Sequence, residues 1–391
     1  MYYISRISGL IALAALGVSV WFSIVLARAD FYFRAGRVQR AMEIAPRNTE
    51  YLAQRALQVD YEGGDSRAIQ EKIAALNPYS SAPRIRLGLA AELSGDSAGA
   101  ERWLLDAARV DHQFEPRWTL ANFYFRAGKP DEFWKWMRAA LEVSYGDRTP
   151  AYDLCWRVST DAREILTRGI PDRHEVVSSY LVYLLTKKPT GMASLQAEAA
   201  RRLAAYHDAS DLPLLFGVCD QLLQARDPTA IEVWGLTGQS VPSAIFNGDF
   251  VTIPLNHGFD WRAIESAGVT HVNLNAPAGH RIVFSGQEPE SCSLLRQFLN
   301  LRERKRYRLH WESRTAGIKS PSGLEWRVGG PLSRPSGGEL LPSEDWTAGE
   351  LTIVRGDVFS DLELVYQRPV GESRAEGNVE LRHIRLVEVA P

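Results

Sequence analysis

Cysteine is scarce: the 391 residues hold three, Cys155, Cys219 and Cys292. They lie far apart and match no metal-ligand spacing, and an odd, low count gives no disulfide framework. Cys155 and Cys219 fall within helical patterns, where a buried free thiol is the default. Net charge is nearly absent too, at −2 from 45 Lys+Arg and 47 Asp+Glu. A nucleic-acid binder normally carries a basic surplus, so that partner class is not expected. The basic cluster of Arg302, Arg304, Lys305, Arg306 and Arg308 sits beside Glu303 on a strand-like segment and reads as a solvated strand face. Catalytic and metal motifs are missing as well. His174-Glu175 lacks the second histidine of a zinc-protease helix, and Gly128-Lys129 lacks the upstream glycine and the hydroxyl residue of a phosphate loop. No nucleophile elbow occurs. Carboxylate pairs for glycoside hydrolysis need only meet in space, so sequence alone leaves that reaction open. No catalytic residue, metal or cofactor is assigned.

What is present begins with a charge-free run from Gly9 to Ala27. It is close to the ~20 residues that cross a bilayer as a helix. Trp21 and Phe22 lie near its far end, as interfacial aromatics do. A cleaved signal peptide is the alternative, since Ala27-Arg28-Ala29 resembles a cleavage site. The run exceeds a usual signal core, which favours an uncleaved anchor. Orientation is divided. Arg28, Arg34, Arg37 and Arg40 follow the run, and the positive-inside rule would place the large domains in the cytoplasm.

From about 30 to 235 the periodicity is helical. Two segments align about 33 residues apart. The first carries Pro83, Leu87, Gly88, Ala91, Gly95 and Trp103, the second Pro116, Leu120, Ala121, Tyr124, Gly128 and Trp136. Leu87 and Ala91 share one helix face, as do Leu120 and Tyr124. Gly95 and Gly128 supply the left-handed residue that ends a helix, and Asn77-Pro78 opens the next unit. The hexapeptide Phe31 to Gly36 is repeated at Phe123 to Gly128. These features resemble the tetratricopeptide-repeat (TPR) family. The resemblance implies stacked helix pairs with a concave surface that holds a protein partner, or a spacer. Trp134 is a candidate partner contact, while Trp103 and Trp136 are assigned to the core. Later helices run from Ala193 to Tyr206 and from Leu212 to Ala225, the second capped by Ser210 or Asp211.

Gly235 to Ser243 reads as a linker, and the rhythm then changes to period two. Tyr307, Leu309 and Trp311 alternate with Arg306, Arg308, His310 and Glu312; Leu324, Trp326 and Val328 and then Leu362, Leu364 and Tyr366 do the same. Such strands pack one face on a core and turn the other to water. Val379 and Leu381 have one parity and Ile384 and Leu386 the other. A one-residue bulge near Arg382-His383 would bring all four to one face.

The segment Ile245 to Phe250, followed by Gly258-Phe259-Asp260-Trp261, resembles the start of a carbohydrate-binding module with the galactose-binding-domain-like jelly roll. Leu299 to Trp311 and Gly377 to Leu386 resemble later strands of that family. The resemblance implies an antiparallel β-sandwich and a glycan as ligand. The family's structural calcium is not expected: Val251 follows Phe250, and Arg382-His383 replaces the acidic residue of the last strand. Candidate ligand residues are Trp346, in a loop-like segment, Trp261, which also suits the family core, and Gln287 and Glu288 after Ser285-Gly286. Trp311 and Trp326 lie on the apolar parity and belong to the core.

The expected fold class is multi-domain α + β, with a transmembrane helix, a TPR-like solenoid and a jelly-roll sandwich. The expected boundaries are 1–29 (membrane anchor or signal segment, the membrane contact being 9–27), 30–235 (repeats), 236–242 (linker) and 243–391 (sandwich). These parts suit a non-catalytic scaffold of the bacterial inner membrane, single-pass and facing the periplasm. Its repeats would hold a protein and its sandwich a polysaccharide or protein, in assembly or export of a cell-surface polysaccharide. A pure protein-interaction module and a glycan-active enzyme are the alternatives.

Overall fold

The computed structural model describes residues 2–187, 192–240, 245–301, 305–329, 336–354 and 359–389. Arg302 and Arg304 of the basic cluster, and Val241, Pro242 and Ser243 of the linker, lie outside the described residues. Contacts divide the chain into two compact units, Met1–Pro171 and Asp172–Pro391.

The first unit is helical: α1 (Tyr2–Arg34), α2 (Val38–Ile44), α3 (Thr49–Tyr61), α4 (Arg67–Leu76), α5 (Ala82–Leu93), α6 (Ser97–Val110), α7 (Phe114–Arg126), α8 (Pro130–Glu142), α9 (Thr149–Val158) and α10 (Ala162–Glu164), which runs into a π turn at Ile165–Gly169. α1 is long and apolar enough to cross a membrane, and Leu13, Leu16, Trp21 and Phe22 are exposed along it. It continues without a break into the first helix pair. There Ala29 is fully buried with Ala41 and Tyr51, Tyr51 donates its hydroxyl to Asp30 Oδ1 at 3.0 Å, and Phe33 packs on Tyr51 at 4.6 Å. The alanines of the signal-like site thus lie inside a helix whose last turns are repeat core.

The two copies of the hexapeptide close their helices with the same bonds. Gly36 N donates to Phe33 O and Arg37 N to Tyr32 O; Gly128 N donates to Phe125 O and Lys129 N to Tyr124 O. Both glycines have positive φ, at 72° and 65°, which glycine adopts without steric cost. Close approach sets the pairing of α5 with α6. A Cβ on Gly88 would lie 2.7 Å from Leu104 atoms, and Leu104 is fully buried. Arg84 and Asp106 lock the pair at 2.6 Å, and Asp96 caps α6 through Gly99 N at 2.8 Å. The proline signal lies one turn later than the sequence suggests. Asn77 ends α4, and Pro83, not Pro78, sits in the first turn of α5.

Three tryptophans differ from their expected places. Trp134 is 2% exposed, because the π turn covers it: a Cβ on Gly169 would lie 3.0 Å from its ring. Trp103 and Trp136 are only half-buried. A helix in a stack meets neighbours on two sides, so a single apolar stripe misplaces the residue that faces the second neighbour.

The second unit joins α11 (His174–Lys187), α12 (Ala193–Ala204), α13 (Leu212–Gln224) and α14 (Thr229–Leu236) to ten strands among the described residues. β1 (Arg262–Ala263), β4 (Ser291–Asn300), β9 (Phe359–Gln367), β6 (Leu324–Gly329) and β7 (Ser336–Glu339) form one antiparallel sheet in that order. β2 (Val269–Asn275), β3 (Ala278–Ser285), β10 (Glu376–Val389), β5 (Arg306–Ala316) and β8 (Thr347–Val354) form the other. The sheets sandwich a core that includes Tyr307, Leu309, Trp311, Leu324, Trp326, Val328, Leu362, Leu364 and Tyr366, the parity read from sequence. The bulge is present. Arg382 pairs with Glu312 and Arg385 with His310, one extra residue on β10, and Val379, Leu381, Ile384 and Leu386 are all buried. The fold is thus an N-terminal apolar helix, helical repeats and an antiparallel two-sheet sandwich.

Helices and sandwich interlock within this unit. Asp220 on α13 accepts from Gly258 N at 2.7 Å and Arg262 Nη2 at 2.6 Å, and meets His257 Nδ1 at 2.6 Å. Arg226 donates to Phe359 O at 2.8 Å and pairs with Asp361 at 2.5 Å. Trp234 on α14 packs edge-on against Phe246 and Phe259. Asp211 holds the N-cap position of α13, but its side chain makes no cap bond; its carboxylate goes to His174 Nε2 at 2.8 Å. Cys155 and Cys219 are buried free thiols; burial pushes the Cys219 thiol up to about 12.

Gly258 has φ +57°, and a Cβ there would lie 2.1 Å from the Trp234 ring. Gly258→Ala is expected to lower the stability of Asp172–Pro391 by about 3 kcal/mol from strain and overpacking together. Gly371→Ala, equally left-handed but in open space, is expected to cost only about 1 kcal/mol. Urea unfolding of the two variants followed by tryptophan fluorescence checks the difference.

Two buried histidines give a pH dependence. His271 Nε2 bonds Ile264 O, and its Nδ1 faces His280 Nε2 at 3.0 Å. Burial, with His271 alongside, pushes His280 down to about 3. Burial also lowers His271, against its bond to Ile264 and the nearby Glu265. Between these depressed values and the usual 6.5 the unfolded chain binds protons that the folded chain refuses. Their stabilisation is therefore full above pH 6.5 and lost as pH falls, by up to about 1.4 kcal/mol per pH unit per histidine. His174 has the opposite sign, because its bond to Asp211 raises its pKa. Urea midpoints from pH 7.5 to 5 should fall in the parent, fall less in His280→Leu and fall more in His174→Gln.

Candidate functional site

The outward side chains of the β2-β3-β10-β5-β8 sheet form transverse rows, because strand register places them side by side. In one row Val272 lies opposite Arg281, Arg281 opposite Glu380, and Glu380 opposite Arg314. Trp346, just before β8, adjoins Arg314. Glu380 is 4% exposed. Its Oε1 accepts from Arg281 Nε and Nη2 at 2.9 and 2.7 Å, and its Oε2 from Arg314 Nε and Nη2 at 2.8 Å each. One carboxylate thus fixes two guanidinium forks, a planar match that lysine would not give.

The next row pairs Arg382 with Glu312, Nε to Oε2 at 2.7 Å. Trp346 lies over both rows, 4.0 Å from the Arg382 guanidinium carbon and 5.0 Å from that of Arg314, ring centroid to carbon. Both arginines project from the same sheet face, and the indole on them remains half-buried. Cation–π contact of this kind is worth about 0.5–2 kcal/mol and orients the ring. Below it, the bulge gives His383 a φ of +52° and brings its Nδ1 to Asp249 at 2.7 Å. An imidazole thus stands against a carboxylate beside the bulge. A 440 Å³ depression opens beside it, lined by His310, Glu312, Ala348, His383, Arg385 and Val387 with the edge of Trp311. Ala348 borders it, and on the inward side Gly349 makes room for the Trp311 ring, which a Cβ there would strike at 2.3 Å.

The sequence candidates fall in three places. Trp346 is on this face. Trp261 has no exposed surface; it packs on Phe250 and Trp326 and donates Nε1 to Asn247 O at 3.1 Å. Gln287 is exposed and Glu288 fully buried at the β3–β4 turn. Glu288 Oε1 accepts from Ala375 N at 2.8 Å, under a 320 Å³ cavity lined by residues including Lys319, Tyr366, Glu372 and Arg374. The residues missed are Arg281, Arg314, Arg382 and Glu380. Their signal was visible as the polar parity of β5 and β10, but sequence does not tell which strands lie side by side.

In the first unit, half-buried Trp103 and Trp136 hold equivalent positions in successive helix pairs. Trp103 borders a 760 Å³ depression with Arg102, Leu105 and Arg109; Trp136 borders one of 540 Å³ with His112, Arg117, Lys135 and Arg138. These lie mainly on α6 and α8, the second helices of their pairs. Among the described residues no His, Cys, Asp and Glu cluster could hold a metal ion.

No family model and no curated protein matches the chain. Solved structures do. A CBM4 carbohydrate-binding module is 11% identical, matching 37% of this chain and 99% of its own at a TM-score of 0.28. YrrB, a TPR protein with an unusual peptide-binding site, is 11% identical over 51% of this chain and 90% of its own, with a TM-score of 0.25. TmCBM61, solved with β-1,4-galactotriose, is 16% identical over 37% and 92%, with a TM-score of 0.26. The structures similar to this chain thus include TPR proteins and carbohydrate-binding modules.

Proposed function

We propose that the protein is a non-catalytic, membrane-anchored scaffold whose sandwich binds a polysaccharide and whose repeats hold a protein partner. The observation that carries this reading is Trp346, a half-buried indole laid on Arg314 and Arg382, on the sheet face where His310, Glu312, His383 and Arg385 border a depression. A flat aromatic surface takes the C–H face of a pyranose ring, and nearby forks and carboxylates meet its hydroxyls. The buried Glu380 supports it, because it holds the arginines in place before any ligand arrives. For the repeats, the support is the recurrence of Trp103 and Trp136 beside open depressions, the kind of aromatic that anchors interfaces. The setting we propose is assembly or export of a cell-surface polysaccharide at the bacterial inner membrane, with α1 as a single span and both folded units in the periplasm.

Trp346→Ala in the full chain is expected to weaken retention on the bound polysaccharide in affinity electrophoresis by about tenfold or more, with the melting temperature lowered by only a few degrees, as loss of the two cation–π contacts implies. No retention of the parent chain on any of a broad polysaccharide set would favour the pure protein-interaction reading.

Orientation is tested with protease. Digestion of the folded units in spheroplasts, with protection in intact cells, is the expected result. Protection in both would instead follow the exposed arginines Arg28, Arg34, Arg37 and Arg40 after the span and place the units in the cytoplasm.

A further inference from the structure

We infer that the ligand of the Trp346 face is an anionic, uronate-bearing polysaccharide rather than a neutral one. This rests on the glycan reading above and specifies its chemistry. The outward positions of β3, β10 and β5 carry six arginines, Arg281, Arg306, Arg308, Arg314, Arg382 and Arg385, while the carboxylates of that face are Glu312, Glu350, Glu376 and Glu380, joined by Asp249 from before the first strand. The carboxylates are committed unevenly. Glu380 serves two arginines and Glu312 serves Arg382. Arg308 reaches Glu350 only at 3.8 Å, and Arg385 reaches Asp249 only at 4.0 Å while two-thirds exposed. The whole chain carries −2, so this positive excess is local and not a share of a general basic surplus.

A neutral glycan laid on Trp346 would cover guanidinium groups without replacing their counter-charge, which costs desolvation energy. A uronate ring meets both demands. Its C–H face stacks on the indole while its planar carboxylate accepts two parallel N–H bonds from an arginine fork. The weakly paired ends of Arg385, which lines the depression with His310 and His383, and of Arg308, on the same face of β5, are the forks placed for this. Glu312 and Glu350 remain as acceptors for hydroxyls.

The test uses the full chain in detergent micelles and affinity electrophoresis through polygalacturonate and alginate. The same polymers after reduction of their carboxyl groups, and dextran sulfate, complete the set. Expected are retention on the two uronates, at least about tenfold weaker retention on the reduced polymers, and weaker retention on dextran sulfate. Arg385→Ala with Arg308→Ala should lower uronate affinity by about tenfold with the melting temperature unchanged. Equal retention on the reduced polymers overturns the inference while the glycan reading stands. Stronger retention on dextran sulfate than on either uronate overturns it in favour of unspecific polyanion binding. No retention on any polymer overturns both.

Discussion

The side-chain phase of β5 and β10, kept by one extra residue at Arg382–Arg385, is the constraint on which the sandwich depends. Residues alternate between the two faces of a strand, so a change of one in register moves every side chain to the wrong side. Without the bulge, Ile384 and Leu386 would point to water and Arg385 into the core. With it, Val379, Leu381, Ile384 and Leu386 stay buried. The same residue step gives His383 a left-handed backbone and turns its ring toward Asp249. Core and candidate face are thus two results of one backbone feature.

The second constraint is the union of α11–α14 with the sandwich. Asp220, Arg226 and Trp234 each reach from helix to strand or loop, and the compact unit starts at Asp172. A division by type of secondary structure falls near residues 236–242, whereas the contacts fall elsewhere. The last helices pack on one another, and Trp234 of α14 is covered in addition by Phe246 and Phe259 from the sandwich. The first unit uses the same economy at its start: the end of α1 is both the end of the apolar run and the first helix of the first pair.

Much of the fold was legible because periodicity reports burial. The helix ends at Gly95 and Gly128, the strand parities and the bulge follow from local rules on glycine and alternation. The burial of Trp134 and the partial exposure of Trp103 do not follow from one apolar stripe, because a helix packed on two sides has two. Asp211 looked like a cap, but a histidine 37 residues away takes its carboxylate. Of the site, only Trp346 was legible, as an aromatic outside the strand alternation. Arg281, Glu380 and Arg314 come from three strands far apart in sequence, and only sheet order makes them a row. Their recognition needs the register, which no local pattern contains.

The claim that ligand binds the outer face of the β2-β3-β10-β5-β8 sheet is tested most directly by hydrogen exchange of the full chain in micelles, with and without oligogalacturonate. The account predicts slower exchange in Arg306–Ala316, Thr347–Val354 and Glu376–Val389. Slowing confined to the loops around Lys319 and Arg374, or to the repeat helices, would contradict it.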